Sequence, residues 1–229
     1  MKVGVLLLAA GSGKRFGSAI PKQYLEVAGK PLIIHTLESL NQSKHIVVVQ
    51  PVIGDRDLWY RDAVAGYQWG FTLLEPVVGG AERSISMQRG LAALPDDIDM
   101  VAVHDAARAL PSQMLLDDVF QAADQHGAAV PGLPVHDTIK RIDADGKVLE
   151  TPDRNRLMAV QTPQVARRTW FESALVKEKD RLHLHTDDAS VLEAAGFDVY
   201  ISQGDVNNRK VTTPQDMLWL EKHLQGVAP

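Results

Sequence analysis

The chain has 229 residues, of which 45% are hydrophobic and 23% are charged, and its formal net charge at pH 7 is -5. This length predicts one globular domain, residues 1–229, with enough apolar side chains for a core, and the negative charge argues against general nucleic-acid binding. Cysteine is absent, which excludes disulfides, zinc–thiolate sites and thiol nucleophiles and agrees with a cytoplasmic protein.

Strands and helices alternate through the first 130 residues. Apolar and β-branched runs predict strands at Val3–Leu8, His45–Gln50, Phe71–Leu74, Asp99–Val103 and Gly127–Val130. Apolar residues at helical spacing predict helices at Pro31–Leu40, Asp55–Gln68, Glu82–Leu94 and Leu115–Gln125. This alternation predicts an α/β fold with a Rossmann-like, doubly wound, mostly parallel sheet. The apolar run at Val3 is far shorter than the roughly 20 residues of a bilayer span, so we expect no membrane partner.

The pattern changes after Pro131. Thr138–Ile142 and Lys147–Thr151 are strand-like runs on either side of a turn at Asp143–Gly146. They predict a projecting β-hairpin arm at about residues 134–155. Because two strands alone are marginal in water, we expect the arm to pack on a second subunit of a homodimer.

Beyond the arm, helical spacing predicts two helices separated by a polar segment, then a strand and a final helix. These elements are Arg168–Lys179, Asp187–Ala195, Asp198–Ser202 and Pro214–Leu224. Gly196 is the predicted C-cap of the second helix, since glycine adopts the left-handed conformation that ends many helices.

A glycine loop that carries three cations follows the first strand. Gly11-Ser12-Gly13 lets the backbone approach a ligand closely, and Lys14, Arg15 and Lys22 bring positive charge to it. The loop lacks the spacing of a P-loop, and Gly17 comes one place too late for a dinucleotide fingerprint. The alternative is an ordinary strand-to-helix turn with solvated basic residues.

Two further segments carry candidate site residues. Gly79-Gly80 precedes a predicted helix on which Arg83 and Ser86 lie one turn apart, and a flat base can sit on such a backbone. Asp105, at a strand end, can hold Mg²⁺ together with substrate phosphates, and Arg108 can bind a phosphate in bidentate fashion. Because ligands of doubly wound sheets bind at the carboxyl ends of strands, we expect one shared site. The alternatives are solvated serines at a helix start and a buried histidine–aspartate–arginine network.

His183 and His185 would share one face of a strand, which raises the question of a metal site. The spacing implies no further ligand, so this interpretation is disfavoured. The preferred interpretation makes Thr186 the N-cap of a helix that begins at Asp187.

A series of short segments extends over almost the whole chain: Leu8–Arg15, Pro21–Tyr24, Gly79–Ser86, His104–Arg108, Pro134–Arg141, Asp153–Asn155, Gln161–Gln164, Thr186–Asp188 and Lys210–Pro214. In this order they resemble the cytidylyltransferase family of the methylerythritol phosphate (non-mevalonate) isoprenoid pathway. The resemblance implies that CTP and 2-C-methyl-D-erythritol 4-phosphate react to give CDP-methylerythritol and pyrophosphate, with a divalent cation, Mg²⁺, as cofactor.

The resemblance also implies roles for individual residues. Arg15 and Lys22 would stabilise the transition state at the α-phosphate of CTP, Lys210 would join them against the repulsion between the two anions, and Asp105 would bind the metal. Residues that would surround CTP are Ala10, Gly11, Gly13, Gly79, Gly80, Arg83, Ser86 and Ala107. The acceptor phosphosugar would be held by Arg154 and Lys210, with Arg108, Thr138 and Thr162 as further candidates. In the family's homodimer the arm reaches the partner's site, so Thr138 and Arg154 would serve the other subunit.

Two positions depart from the family pattern, since Ala109 stands where proline is frequent and Asn207 where an acidic residue is common. If that acid helps to bind metal, Asp105 is the one carboxylate ligand left. The alternatives are a cytidylyltransferase for ribitol 5-phosphate, a sugar-phosphate nucleotidyltransferase that uses UTP or ATP, and a catalytically inactive nucleotide-binding protein. A dehydrogenase is disfavoured because the dinucleotide fingerprint fails.

Overall fold

The computed structural model describes residues 1–11 and 16–226. Within these residues the strands are β1 (Val3–Ala9), β2 (Glu26–Val27), β3 (Lys30–Pro31), β4 (Ile46–Ile53), β5 (Thr72–Leu73), β6 (Val77–Val78), β7 (Met100–Asp105), β8 (Ala128–Pro134), β9 (Arg141–Ile142), β10 (Val148–Glu150), β11 (Met158–Val160), β12 (Gln164–Arg167) and β13 (Tyr200–Gln203). The α-helices are α1 (Leu32–Leu40), α2 (Tyr60–Val64), α3 (Arg83–Ala93), α4 (Gln113–His126), α5 (Arg168–Lys177), α6 (Asp188–Ala194) and α7 (Pro214–Leu224). Short 3-10 helices lie at Lys22–Tyr24, Arg154–Arg156 and Leu182–Leu184.

A nine-stranded sheet in the described residues confirms the predicted α/β architecture. Its order is β11-β8-β12-β7-β1-β4-β5, with β13 paired to β8 and β6 paired to β4. The central β1 is parallel to both of its neighbours, β4 and β7. The sheet is mostly parallel, and the antiparallel pairs all involve β11 or β12.

Helices cover both faces of this sheet because β1 is apolar on both sides. Val5 and Leu7 point into a core cluster formed with α1 and α4, whereas Leu6 points into the opposite cluster formed with α3, α5 and α6. All three side chains are fully buried. A continuous apolar run is typical of a strand covered on both faces, so the opening of the chain specifies a doubly wound sheet. None of the helices in the described part of the chain is long and apolar enough to cross a membrane.

The structure corrects two predicted helices. The helix predicted at Asp55–Gln68 is wrong outside Tyr60–Val64, since Arg56 and Gly66 both have positive φ angles, 56° and 81°. The N-cap of α6 is Asp187, not Thr186, because its carboxylate accepts a hydrogen bond from the backbone N–H of Ser190 at 3.0 Å. The C-cap of α6 is Ala195 rather than Gly196, which follows it with a φ of 88°, the left-handed conformation in which glycine ends many helices.

The segment that follows β8 contains the predicted pair of short strands. β9 and β10 are antiparallel, with Val148 opposite Ile142 and Glu150 opposite Arg141. The carboxylate of Asp143 accepts hydrogen bonds from the backbone of Asp145 and Lys147 in the turn between them. Exposed apolar residues lie on both strands, with 56% of Ile142 and 51% of Val148 accessible.

Candidate active site

A cavity of about 460 Å³ lies where β1 and β7 end. Both strands are parallel, so their carboxyl ends meet at one edge of the sheet. Nine predicted site residues line it: Ala10, Gly11, Lys22, Gly80, Arg83, Ser86, Asp105, Ala107 and Lys210. The two segments that follow β1 and β7, for which the sequence predicted one shared site, therefore both contribute residues to this cavity.

Asp105 forms the centre of the charge network in this cavity. Its carboxylate, 6% exposed, contacts the guanidinium of Arg83, and Oδ2 lies 2.7 Å from Lys210 Nζ and 3.9 Å from Arg108 Nε. Burial by itself raises the pKa of this carboxyl. The charges of Arg83 and Lys210, together with their hydrogen bonds, outweigh that effect and hold the pKa of Asp105 well below its usual range. Asp105 is therefore an anion throughout the physiological pH range.

Arg83 bridges two carboxylates. Its Nη1 donates to Asp105 Oδ1, and its Nε and Nη2 donate to Asp188 Oδ2 at 3.0 and 2.6 Å. Burial disfavours the charge on Arg83, but the two carboxylates more than compensate and raise its pKa. Asp188 is buried at the start of α6, where burial raises the pKa of its carboxyl and Arg83 opposes that rise. Oδ2 accepts two N–H donors from a permanently charged guanidinium, so the pair is ionic.

Lys22 and Lys210 approach the cavity from different segments. Lys22 lies on the first 3-10 helix, and its Nζ donates to the backbone carbonyl of Val211 at 2.6 Å. Val211 in turn donates its N–H to Ala107 O at 2.8 Å, and Ala107 lies two residues after Asp105. Lys22 is therefore bound to the residue that follows Lys210, while the ammonium of Lys210 itself pairs with Asp105.

A buried network lies directly below the charged groups. Thr162 Oγ1 accepts a hydrogen bond from the backbone N–H of Asp105 and lies 3.1 Å from His104 Nδ1. His104 Nε2 lies 3.0 Å from the carbonyl oxygen of Arg108. Burial lowers the pKa of His104 to about 4, so the ring is neutral and bridges a hydroxyl and a carbonyl. The buried histidine–aspartate–arginine network considered from the sequence is thus present and supports the site.

Arg108 and Thr162 lie beside the cavity but outside its lining. Arg108 donates from Nη1 to Asn208 O at 2.8 Å, and burial lowers the pKa of its guanidinium. Thr162 is 4% exposed. Its hydroxyl contacts the backbone N–H of Asp105 and the ring of His104, and these two contacts hold the side chain in place.

The backbone at Gly79 and Gly80 is closely surrounded. A Cβ at Gly79 would lie 2.7 Å from both Ala10 Cβ and Ser86 Oγ, and a Cβ at Gly80 would lie 2.2 Å from Ile85. Ser86 Oγ also accepts the backbone N–H of Gly80 at 3.1 Å. Glycine is therefore required here by close packing against the cavity wall.

Four predicted site residues remain. Gly13 and Arg15 fall outside the described residues. Thr138 and Arg154 are exposed residues of the segment between β8 and β11, and Arg154 Nη1 donates to His136 O at 2.7 Å. Within this chain neither Thr138 nor Arg154 lines the cavity.

His183 and His185 do not lie on a strand, so the arrangement on which the disfavoured metal-site interpretation depended is absent here. Residues 182–184 form a 3-10 helix, and His185 Nε2 lies 3.3 Å from the buried Glu178 Oε2. In the described ranges, no three histidine or acidic side chains are grouped as metal ligands. Asn207 donates its backbone N–H to Asp205 Oδ1 at 2.8 Å.

Sequence reasoning missed two buried residues of the site. Asp188 stands next to an N-cap, where an acidic residue is ordinarily explained by the helix dipole. Gln23 lines the cavity and is 4% exposed. The sequence offered one signal for each residue. Asp188 is a second acid beside the N-cap Asp187, and Gln23 is a polar residue between Lys22 and Tyr24.

Comparison with known proteins identifies the family. A family model described as 2-C-methyl-D-erythritol 4-phosphate cytidylyltransferase matches residues 3–225. The chain belongs to this family. A family member from Alkaliphilus metalliredigens is 37% identical over 95% of this chain and 90% of its own length. A chloroplastic member from rice is 41% identical over 96% of this chain and 73% of its own length. The chain is thus a nucleotidyltransferase of the cytidylyltransferase type, as the sequence indicated.

Solved structures of the family share the fold. The crystal structure of 4-diphosphocytidyl-2C-methyl-D-erythritol synthase from Anaerococcus prevotii matches with a TM-score of 0.84 and 27% identity, over 98% of both chains. Other relatives are larger, among them the bifunctional enzyme IspD/IspF of Bradyrhizobium diazoefficiens, 41% identical over 97% of this chain. The chain spans about half the length of these bifunctional relatives, 56% in that case.

Proposed function

We propose that this chain transfers the cytidylyl group of CTP to 2-C-methyl-D-erythritol 4-phosphate, giving CDP-methylerythritol and pyrophosphate for isoprenoid precursor synthesis. The observation that carries the proposal is the cavity that gathers Lys22, Lys210 and glycine-rich backbone around Asp105 at the carboxyl edge of the sheet. Family membership supports it. Residues 1–229 would act as one nucleotidyltransferase domain in the cytoplasm.

The nucleotide would occupy the side of the cavity formed by the two glycine segments. A flat base would lie against the backbone of the second glycine segment, where Gly80 lines the cavity. Ser86 Oγ and the backbone near Ala107 supply polar atoms on the same wall. The remaining members of this proposed nucleotide-binding set are Ala10, Gly11, Gly13 and Arg83.

Arg83 would act indirectly, because its guanidinium is bound between Asp105 and Asp188. This arrangement supports a role in holding the cavity floor in place. Arg83 remains part of the proposed nucleotide-binding wall as a lining residue.

The reaction needs positive charge more than it needs a base. A phosphomonoester is largely ionised at pH 7, since its second pKa is about 6, so its oxygen can attack the α-phosphorus of CTP directly. The two reactants are both anions, and the attack concentrates charge between them. Lys22 and Lys210 would offset that charge, together with Arg15, and the leaving group would be pyrophosphate.

Asp105 fits a role as the Mg²⁺ ligand. Mg²⁺ commonly takes one or two carboxylates and completes its coordination with water and substrate phosphates. Asp105 is an ionised carboxylate in the cavity, although Arg83 and Lys210 occupy its oxygens, so the side chain would have to release Lys210. When bound, the cation would neutralise phosphate charge during the transfer.

The acceptor would be bound by residues from two subunits. Lys210 lines the cavity, and Arg108 and Thr162 lie beside it. Arg154 and Thr138 are too exposed in one chain to form a site alone. The arm at about residues 134–155 would therefore carry them to the partner's cavity in a homodimer.

The function is tested by measuring pyrophosphate release from purified protein with CTP, UTP or ATP and each acceptor in the presence of Mg²⁺. We expect turnover with CTP and methylerythritol 4-phosphate. A preference for ribitol 5-phosphate would reject the acceptor but keep the reaction type, and a preference for UTP or ATP would reject the nucleotide. Nucleotide binding without turnover would indicate an inactive nucleotide-binding protein.

A further inference from the structure

Gln23 is a buried polar residue in the cavity wall whose role the proposed chemistry leaves open. It is 4% exposed and stands between Lys22 and Tyr24 in the first 3-10 helix. A buried amide is costly unless its hydrogens find acceptors, so its partners indicate what it does.

The partners of Gln23 lie at the start of the glycine loop. Its Nε2 donates to the carbonyl oxygen of Ala9 at 2.5 Å and to that of Gly11 at 3.4 Å. Ala9 is the last residue of β1, and Gly11 follows it two residues later in the chain. A glutamate at this position could not donate to two carbonyls, and an apolar side chain of equal length would leave both without this partner.

The other end of the same turn is anchored away from the cavity. The hydroxyl of Tyr24 donates to Asp57 Oδ2 at 2.6 Å, and its ring stacks on Trp59 with centroids 6.2 Å apart. Gln23 therefore provides the anchor on the cavity side. Because it follows Lys22 directly in the chain, movement of Gln23 would turn the backbone that carries the ammonium group.

We propose that Gln23 is a positioning residue that fixes Lys22 against the beginning of the glycine loop. This inference rests on the proposed function, in which Lys22 acts at the α-phosphate. A charge that stabilises a transition state must be placed accurately, and a displacement of about 1 Å can cost roughly 100-fold in rate. Gln23 thus acts on the rate through Lys22 and makes a smaller contribution to nucleotide binding.

The test is Gln23→Met, with Gln50→Met as its matched control. Gln50 is also buried, 1% exposed, and its Nε2 also donates to two backbone carbonyls, Pro51 O and Glu75 O, both at 2.9 Å. Gln50 is absent from the cavity lining. We expect similar losses of thermal stability in both variants. Only Gln23→Met should lower kcat, by about tenfold or more with the KM for CTP changed less than about threefold. Equal kinetics in the two variants would overturn the proposal.

A double-mutant cycle separates positioning of Lys22 from a general structural effect. If Gln23 acts through Lys22, Gln23→Met should change kcat by no more than about twofold in a Lys22→Ala background. A full effect in that background would contradict the inference. Should Gln23→Met fail to fold, Gln23→Asn keeps the amide but is one methylene too short for Ala9 O, and the same loss of kcat is expected. The proposed function itself fails separately, if the unmodified chain releases no pyrophosphate.

Discussion

The ammonium of Lys210 lies 2.7 Å from Oδ2 of Asp105, so a proposed catalytic cation and the proposed metal ligand form one ion pair. Asp105 also contacts Arg83, which binds Asp188 in turn. Positive and negative groups therefore alternate from the cavity to the start of α6. Each cation therefore contacts a carboxylate, which offsets the repulsion between the neighbouring positive charges.

Replacement of the central carboxylate should disrupt both charge and stability. We expect Asp105→Asn to lower turnover by at least about 100-fold and to destabilise the fold by about 3 kcal/mol, because buried cations lose their partner. Pyrophosphate release and urea unfolding measure the two effects. The control is Asp99→Asn, because Asp99 immediately precedes β7 at the end of the strand that lies away from the cavity. Equal turnover in the two variants would exclude Asp105 from the mechanism.

Removal of the Lys22 ammonium should affect the rate more than the binding of CTP. We expect Lys22→Ala to lower kcat by about 100-fold while the Kd for CTP changes less than about fivefold, since the charge acts mainly in the transition state. Calorimetry gives the Kd. The control is Lys30→Ala, which removes an ammonium that pairs with Glu38. We expect this variant to keep both kcat and the Kd for CTP unchanged. Unaltered turnover in Lys22→Ala would contradict the mechanism.

A methyl group at Gly79 should disturb the nucleotide wall. The added Cβ would lie 2.7 Å from Ala10 Cβ and Ser86 Oγ, so one of them must move. We expect Gly79→Ala to raise the KM for CTP by about tenfold. The control is Gly54→Ala, whose Cβ would lie an ordinary 3.7 Å from Ala10 O. Identical KM values for the two variants would show that this wall does not contact the nucleotide.

The start of α7 should contribute stability that depends on pH. Asp216 accepts hydrogen bonds from the backbone and hydroxyls of Thr212 and Thr213. Burial raises the pKa of its carboxyl, but these bonds together outweigh that effect and lower the pKa to about 2. The stabilisation is therefore present above the ordinary aspartate pKa of about 4 and is lost as the pH falls toward 2.

Asp216→Asn should accordingly cost roughly 1 kcal/mol at pH 6 and much less near pH 2, because a partly solvated carboxylate contributes only modestly. Urea unfolding across this range measures the difference. Asp124→Asn, an exposed position on α4, provides the comparison. A pH-independent cost for Asp216→Asn would show that the charge has no part in the cap.

The hairpin should control the oligomeric state. Ile142 on β9 is 56% exposed, and a charge at this position would oppose packing against a second subunit. We expect Ile142→Asp to convert a dimer to a monomer in light scattering. Val176→Asp, at the 73% exposed Val176 on α5, should remain dimeric. A monomeric unmodified protein at the assay concentration would refute the shared site.

The central elements were predictable because local patterns specify them. The apolar run of β1 and the helical spacing of α1 and α3 each reflect burial in one or two cores, which periodicity detects. The strand β12 was not predicted, since it has only four residues and depends on antiparallel pairing with β7, far away in sequence. Its position is a tertiary property that overrides weak local preference.

The same distinction between local sequence patterns and long-range contacts applies to the candidate site. Lys22, Asp105 and Gly80 were identified because each follows or precedes an element at the edge where ligands bind. The contact between Arg83 and Asp188 spans 105 residues and left no local signal beyond one extra acid. Gln23 bonds to Ala9 only because the 3-10 helix turns its amide toward β1.

The strand β12 runs antiparallel to both of its neighbours, β7 and β8. The parallel strands β1 and β7 end at the cavity, whereas β12 begins beside the end of β7, two residues after Thr162. The long segment 135–157 returns to the sheet through β11, which β8 and β12 separate from β7 and β1. A change in the length or sequence of this segment is therefore expected to leave β1 and β7, and the cavity residues that follow them, in place.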